Sequence, residues 1–255
     1  MRATSIPRHE SSFRTSGIDC NGKKHVLKPF TVKIPGSSET VQMVECTLQT
    51  GDQSFFFKEV VPKQRVVLHY TAGYLKGDIG TLTTPGNHVS VPFVVARDGT
   101  IYNLWTSKYW SYHLGPGAQG GNTAMSKSSV GIELSNIGWL QRRGDDLVTY
   151  FSETDVYSSL DEPRHYEKTA TFRGKQYFAT YTDAQYESVI KLLRFLTAKY
   201  DIPRVFLPSI RRYGVLPEIA SYRGISSHVN YRPSGKWDIG PAFDWERVMA
   251  GVSPG

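Results

Sequence analysis

A chain of 255 residues, 39% hydrophobic, 13% aromatic and 21% charged, is long enough for one well-buried core with appended pieces, which excludes wholesale disorder. A net charge of +7 favours polyanions in general, but no Lys/Arg run or RNA-binding signature singles out nucleic acid, which is not an expected partner. No stretch reaches the roughly 18 apolar residues of a membrane span. Met1-Arg2-Ala3-Thr4-Ser5-Ile6-Pro7-Arg8 has no apolar run, so no secretory signal is expected and the chain is read as cytoplasmic when made.

Residues 1–60 read as a small β-rich extension. The first 25 are polar and expected to be irregular. Phe30–Ile34, Gln42–Leu48 and Ser54–Phe57 then read as short strands, with turns at Pro35-Gly36 and Gly51-Asp52. Cys20 and Cys46, the only cysteines, have no CxxC spacing; a disulfide, were the compartment oxidising, and two buried thiols are equally compatible with them.

The main domain is expected over 61–255. Val66-Val67-Leu68-His69-Tyr70 is a short apolar run of the kind buried on both faces of a sheet. Its histidine lies at the C-terminal end, where α/β sheets tend to bind ligands. A lone histidine there reads equally as a core residue. Val89–Ala96 and Thr100–Trp105 flank Arg97-Asp98-Gly99, a hairpin signal. His113 opens a Gly-rich loop running to Asn122 and is a candidate substrate contact at the border of a cleft. In Ser129-Val130-Gly131-Ile132-Glu133-Leu134-Ser135, the side chains of Val130, Ile132 and Leu134 face one way and Glu133 faces the other, beside the space left by Gly131. A carboxylate inside an apolar strand is costly to bury unpartnered; a solvated face, a salt bridge or a role beside a metal would each account for it.

Residues 139–181, rich in charge and aromatics, read as an inserted hairpin or arm. Its aromatics would suit stacking on sugars or packing the arm onto the domain. Thr182-Asp183-Ala184-Gln185 has capping-box spacing and opens a helix whose Tyr186, Val189, Ile190, Leu193, Leu196 and Tyr200 make one apolar stripe, ended by Pro203. Phe243–Met249 reads as a short terminal helix.

Between the last two helices lies Ser227-His228-Val229-Asn230-Tyr231-Arg232-Pro233-Ser234-Gly235-Lys236-Trp237-Asp238. Pro233, Ser234 and Gly235 let this loop fold back, bringing an imidazole and a carboxylate to one point. With His69 they make a set of two imidazoles and one carboxylate, which suits Zn²⁺ with a fourth position left for water. Glu133 is then placed to take a proton from the attacking water, and Lys236 to stabilise an oxyanion. This set serves metal-assisted hydrolysis of an amide.

These pieces, taken with Val89-Ser90 before Phe93-Val94-Val95-Ala96-Arg97-Asp98-Gly99, Gly131-Ile132-Glu133-Leu134 and the Gly240-Pro241 tail, occur in order over roughly 64–250. The chain resembles the zinc-dependent N-acetylmuramoyl-L-alanine amidases of the type-2 family, which includes phage lysozyme-type amidases and peptidoglycan recognition proteins. The resemblance is closest to the branch recycling anhydro-muropeptides. It implies an α/β fold with a mixed central sheet flanked by helices, and cleavage of the lactyl–L-alanine amide of peptidoglycan. It also implies one zinc ion on His69, His228 and Asp238, Glu133 as general base and Lys236 as oxyanion stabiliser. Two positions depart from the family pattern: Pro92 stands where a histidine is common, and Ile239 where proline is usual. A non-catalytic recognition module and a zinc endopeptidase acting within the stem peptide are the alternative functions. The extra segments, 1–60 and 139–181, favour wall lysis by a phage lysin or a delivered antibacterial effector acting in the periplasm, with an inhibitor, immunity protein or secretion carrier as further partners.

Overall fold

The computed structural model describes residues 1–253. In chain order its elements are α1 (Ile6–Ser16), β1 (His25–Lys33), β2 (Thr40–Leu48), β3 (Arg65–Tyr70), α2 (Leu75–Leu82), β4 (Phe93–Val95), β5 (Ile101–Asn103), α3 (Asn122–Lys127) and β6 (Ser129–Leu134). There follow β7 (Trp139–Arg143), β8 (Asp146–Thr149), β9 (Val156–Ser159), β10 (Tyr166–Phe172), β11 (Lys175–Ala179), α4 (Asp183–Tyr200), β12 (Gly224–Ser227) and α5 (Trp245–Val252).

Seven strands make one mixed sheet in the order β1-β2-β5-β4-β6-β3-β12. Its centre is parallel, from β4 through β6 and β3 to β12, and its other side turns antiparallel at the β4–β5 hairpin. All six residues of β3 are buried, as expected of an apolar run covered on both faces. On one face Val66, Leu68, Val130, Ile132 and Leu134 pack against Val189, Leu192, Leu193 and Leu196 of α4 and Val248 of α5. On the other, Val94 and Tyr102 meet Leu75 and Ile79 of α2 and Phe13 of α1. This is the mixed, helix-flanked sheet that the family resemblance implies.

The helix α4 starts where its capping box lies. The Thr182 hydroxyl accepts from the Gln185 N–H at 3.1 Å and the Thr182 N–H donates to Gln185 Oε1 at 3.2 Å. The hairpin turn needs Gly99, which sits at φ +86°, where a Cβ would lie 2.9 Å from the Ala184 carbonyl oxygen.

Four expectations change. The first 25 residues are not irregular, because Ile6–Ser16 is helical, with Pro7 in its first turn and Gly17 ending it in the left-handed region at φ +62°. Few of its residues are apolar; tertiary contacts hold it, with Phe13 fully buried and the Glu10 carboxylate accepting from the Arg97 and Asp98 N–H groups at 3.0 and 3.2 Å. Next, β1 and β2 do not stand apart: β2 joins the main sheet through a short parallel pairing of Val44 with Tyr102 and Glu45 with Asn103. Ser54–Phe57, read as a strand, is instead a turn whose Phe55 and Phe56 plug the cluster under α2. The inserted arm is larger than a hairpin. It is a five-stranded antiparallel sheet, β10-β11-β7-β8-β9.

Candidate metal centre

Strand register assembles the site. His69 on β3 and Glu133 on β6 are direct cross-strand partners, near the C-terminal ends of adjacent parallel strands. On the other side of β3, Ser227 of β12 pairs with Leu68, so the next residue, His228, comes level with His69. The 228–238 loop then folds back as expected, closed by the Val229 N–H donating to the Asp238 carbonyl at 2.9 Å.

His69, His228 and Asp238 are all buried and aim one donor atom each at a common point. His69 Nδ1 lies 3.0 Å from His228 Nδ1 and 3.1 Å from Asp238 Oδ2, and His228 Nδ1 lies 2.9 Å from the same oxygen. His228 Nε2 is 2.9 Å from the Leu114 carbonyl, which can only accept; that nitrogen therefore carries the proton and Nδ1 presents a lone pair to the centre. A tetrahedral ion about 2.0–2.2 Å from each ligand would set the three donor atoms roughly 3.3 Å apart, so the set fits zinc with only slight spreading. Burial lowers His69 to about 4, which keeps it neutral and able to ligate. Burial alone would raise Asp238, but the hydrogen bonds and positive charge that His228 and His69 supply when protonated outweigh it and hold the carboxylate well below its ordinary value.

Beside this centre opens a cleft of about 250 Å³, lined by Glu133, Lys236, His228 and Asp238 and by the aromatic rings of Tyr70, Trp139, Tyr150 and Trp237. The structure thus gathers Glu133 and Lys236 with the three candidate ligands. Glu133 Oε2 is buried without a hydrogen-bond partner. Burial, reinforced by the charge of Asp238 and opposed by that of Lys236, pushes this carboxyl well above its ordinary range. An oxygen left bare at the cleft wall, level with the metal ligands, is placed to exchange protons with whatever occupies the cleft. A larger groove of about 720 Å³, between β1–β2 and α4, has no comparable convergence of ligating groups among the described residues.

His113 borders the cleft, but both its ring nitrogens face protein: Nδ1 lies 3.0 Å from His69 Nε2 and Nε2 lies 2.8 Å from Ser129 Oγ. From sequence the arm's aromatics are open between sugar stacking and packing, and nothing there signals the grip of the inserted sheet on the 228–238 loop. The arm's Trp139 and Tyr150 line the cleft. Its Arg173, in the β10–β11 turn, donates to the Lys236 carbonyl at 2.7 Å and to the Val229 carbonyl at 3.3 Å, while Trp237 Nε1 donates back to the Arg173 carbonyl at 3.1 Å. No local motif at Arg173 signals that contact, because its partners lie 56 to 64 residues away.

A family model described as N-acetylmuramoyl-L-alanine amidase matches residues 60–241, a span that holds every candidate ligand and the whole inserted sheet. The chain belongs to this amidase family. Within it, the chain is 27% identical over 188 residues to the N-acetylmuramoyl-L-alanine amidase AmiD of Escherichia coli (strain K12), covering 72% of this chain and 51% of that protein. It is 25% identical over 166 residues to the 1,6-anhydro-N-acetylmuramyl-L-alanine amidase AmpD of Citrobacter freundii, covering 65% of this chain and 58% of that protein. The chain therefore spans little more than half the length of these curated relatives. The amidase fold is also found in the solved complex of E. coli AmiD with anhydro-N-acetylmuramic acid-L-Ala-D-gamma-Glu-L-Lys, which has a TM-score of 0.50 at 24% identity and covers 87% of this chain and 65% of that one.

Proposed function

We propose that this protein is a zinc-dependent hydrolase of the amide joining the lactyl group of N-acetylmuramic acid to the L-alanine of the peptidoglycan stem peptide, acting on the cell wall as a lytic enzyme. One observation carries the reading: three buried ligand atoms about 3 Å apart sit at a cleft where the adjacent strand presents an unpartnered carboxylate. The names of the relatives AmiD and AmpD support the bond chosen. His69, His228 and Asp238 would hold the ion. Zinc, when bound, supplies Lewis-acid polarisation and acidifies water.

The chain's own groups do the rest. Glu133, raised by burial, accepts a proton from the attacking water and delivers it to the departing L-alanine nitrogen, a two-way transfer for which an elevated carboxyl is suited. Lys236, lining the same cleft, offers its ammonium to the oxyanion that forms at the lactyl carbonyl. Trp139, Tyr150 and Trp237 wall the cleft and exclude water from one side.

The test is mass spectrometry of products from intact sacculi, and in parallel from soluble anhydro-muropeptides, treated with zinc-loaded protein. Stem peptides with a free L-alanine amine are expected, and none from His228→Ala, which should also lose zinc. Glu133→Ala should retain zinc and lose turnover. A new amine elsewhere in the stem would make the protein an endopeptidase. Cleavage of soluble muropeptides alone would overturn the lytic setting while leaving the bond, and binding without cleavage of either substrate would make it a recognition module.

A further inference from the structure

His113 faces His69 across the side of the ring turned away from the candidate metal centre, and the hydrogen-bond chain behind it has a fixed direction. The Ser129 hydroxyl donates to the Met125 carbonyl at 2.6 Å, an acceptor that leaves no choice. Ser129 Oγ can therefore only accept from His113 Nε2, 2.8 Å away, so that nitrogen carries the proton. His113 Nδ1 is then a lone pair, and it accepts the Nε2 proton of His69 across 3.0 Å. This leaves His69 Nδ1 unprotonated and pointing at His228 Nδ1 and Asp238 Oδ2. The whole relay runs from a backbone carbonyl to a bare ligand lone pair.

The space for it is specific. His113 packs at Gly131, where a Cβ would lie 3.2 Å from His113 Nδ1 and 2.6 Å from Val91 Cγ1. Gly131 thus opens room on the sheet face for the imidazole that backs His69. Ser129 is itself buried, so water does not compete for the end of the chain.

We propose that His113 and Ser129 are positioning residues for the metal centre, fixing the tautomer and ring orientation of His69, in place of the substrate contact expected of His113 from sequence. The proposal rests on the zinc reading above. Outer partners of this kind, when removed, cost about 10–100-fold in metal affinity.

Zinc affinity of the full chain, measured by competition with a chromophoric chelator, and the visible spectrum of the Co(II)-loaded protein together test it. His113→Phe removes both ring nitrogens and is expected to weaken zinc about 10–100-fold and shift the Co(II) bands. His113→Asn places an amide oxygen close to where Nδ1 stood and should recover most of the affinity, a rescue that a packing role would not give. Ser129→Ala frees the His113 tautomer and should weaken zinc by a smaller factor with the ring left in place. If circular dichroism shows His113→Phe unfolded, His113→Asn and Ser129→Ala decide. Wild-type zinc uptake with variants within twofold of wild type and unshifted Co(II) bands would overturn the relay alone. Absence of zinc uptake by the wild type would overturn the metal reading itself.

Discussion

Glu10 is buried and Glu133 half-buried with one buried oxygen, and their surroundings suit the two carboxylates to different work. Glu133 has an oxygen with no partner at a cleft, whereas both oxygens of Glu10 accept backbone N–H groups of the β4–β5 turn. Glu133→Gln keeps the shape and removes the proposed base, so kcat is expected to fall by about 10²–10⁴ with zinc still bound; near-wild-type turnover would remove Glu133 from the proposed mechanism. Glu10 acts on stability. Burial, opposed by the two N–H bonds and facing Asp98 and Arg97, raises its carboxyl from 4.5 to about 7. Between those values the folded chain holds a proton that the unfolded chain has released. Stability therefore falls as pH rises through that window, by at most about 3 kcal/mol, and is flat with respect to this group on either side. Urea midpoints of wild type and Glu10→Gln across the same window should diverge with pH, and parallel profiles would show that Glu10 does not titrate there.

At the scale of elements, the inserted sheet matters for what it grips. Arg173 bonds two carbonyls of the 228–238 loop, and Trp237 returns a bond to Arg173. Trp139 and Trp237 pack at 5.6 Å between ring centroids, with the Lys175 ammonium 3.6 Å from the Trp139 ring. Arg173→Ala removes two charge-assisted bonds and is expected to cost about 1.5–3 kcal/mol of local stability. Amides of residues 229–238 should then exchange about tenfold faster or more, with the α4 core unchanged; uniform exchange across the chain would mean the sheet does not brace the loop. This element also marks where sequence reasoning stops. The strands β3 and β6, the hairpin and α4 were legible because each carries its cause locally: an apolar run, a turn glycine, a capping box. The convergence of His69, His228 and Asp238 was legible because chemistry restricts which residue types can share one point. By contrast, α1 has few apolar residues and is held by contacts with distant parts of the chain, and β2 joins the sheet through only two residue pairs. Nothing near His113 in sequence tells that His69 and Ser129 will close on its two nitrogens.

Taken whole, the molecule draws three lone-pair-bearing groups from β3, from the end of β12 and from the loop beyond it into one buried point, and this should couple folding to metal. In the unfolded chain His69, His228 and Asp238 are solvated separately and bind an ion weakly. In the folded chain they stand about 3 Å apart with little water to separate them. A ligand that binds only the folded state stabilises it by RT ln(1 + [L]/Kd), about 2.7 kcal/mol at a hundredfold excess over Kd. For a domain near this size each kcal/mol moves the melting temperature by about 2–4 °C, so zinc at that excess should raise it by about 5–10 °C, and a chelator should reverse the gain. His69→Ala and His228→Ala should each abolish the zinc-dependent shift. Glu133→Gln should retain it, because Glu133 sits beside the ligand set without belonging to it. The pattern across the three variants separates the residues that hold the ion from the residue that uses it. A zinc shift that persists in His228→Ala would place the bound ion elsewhere on the chain.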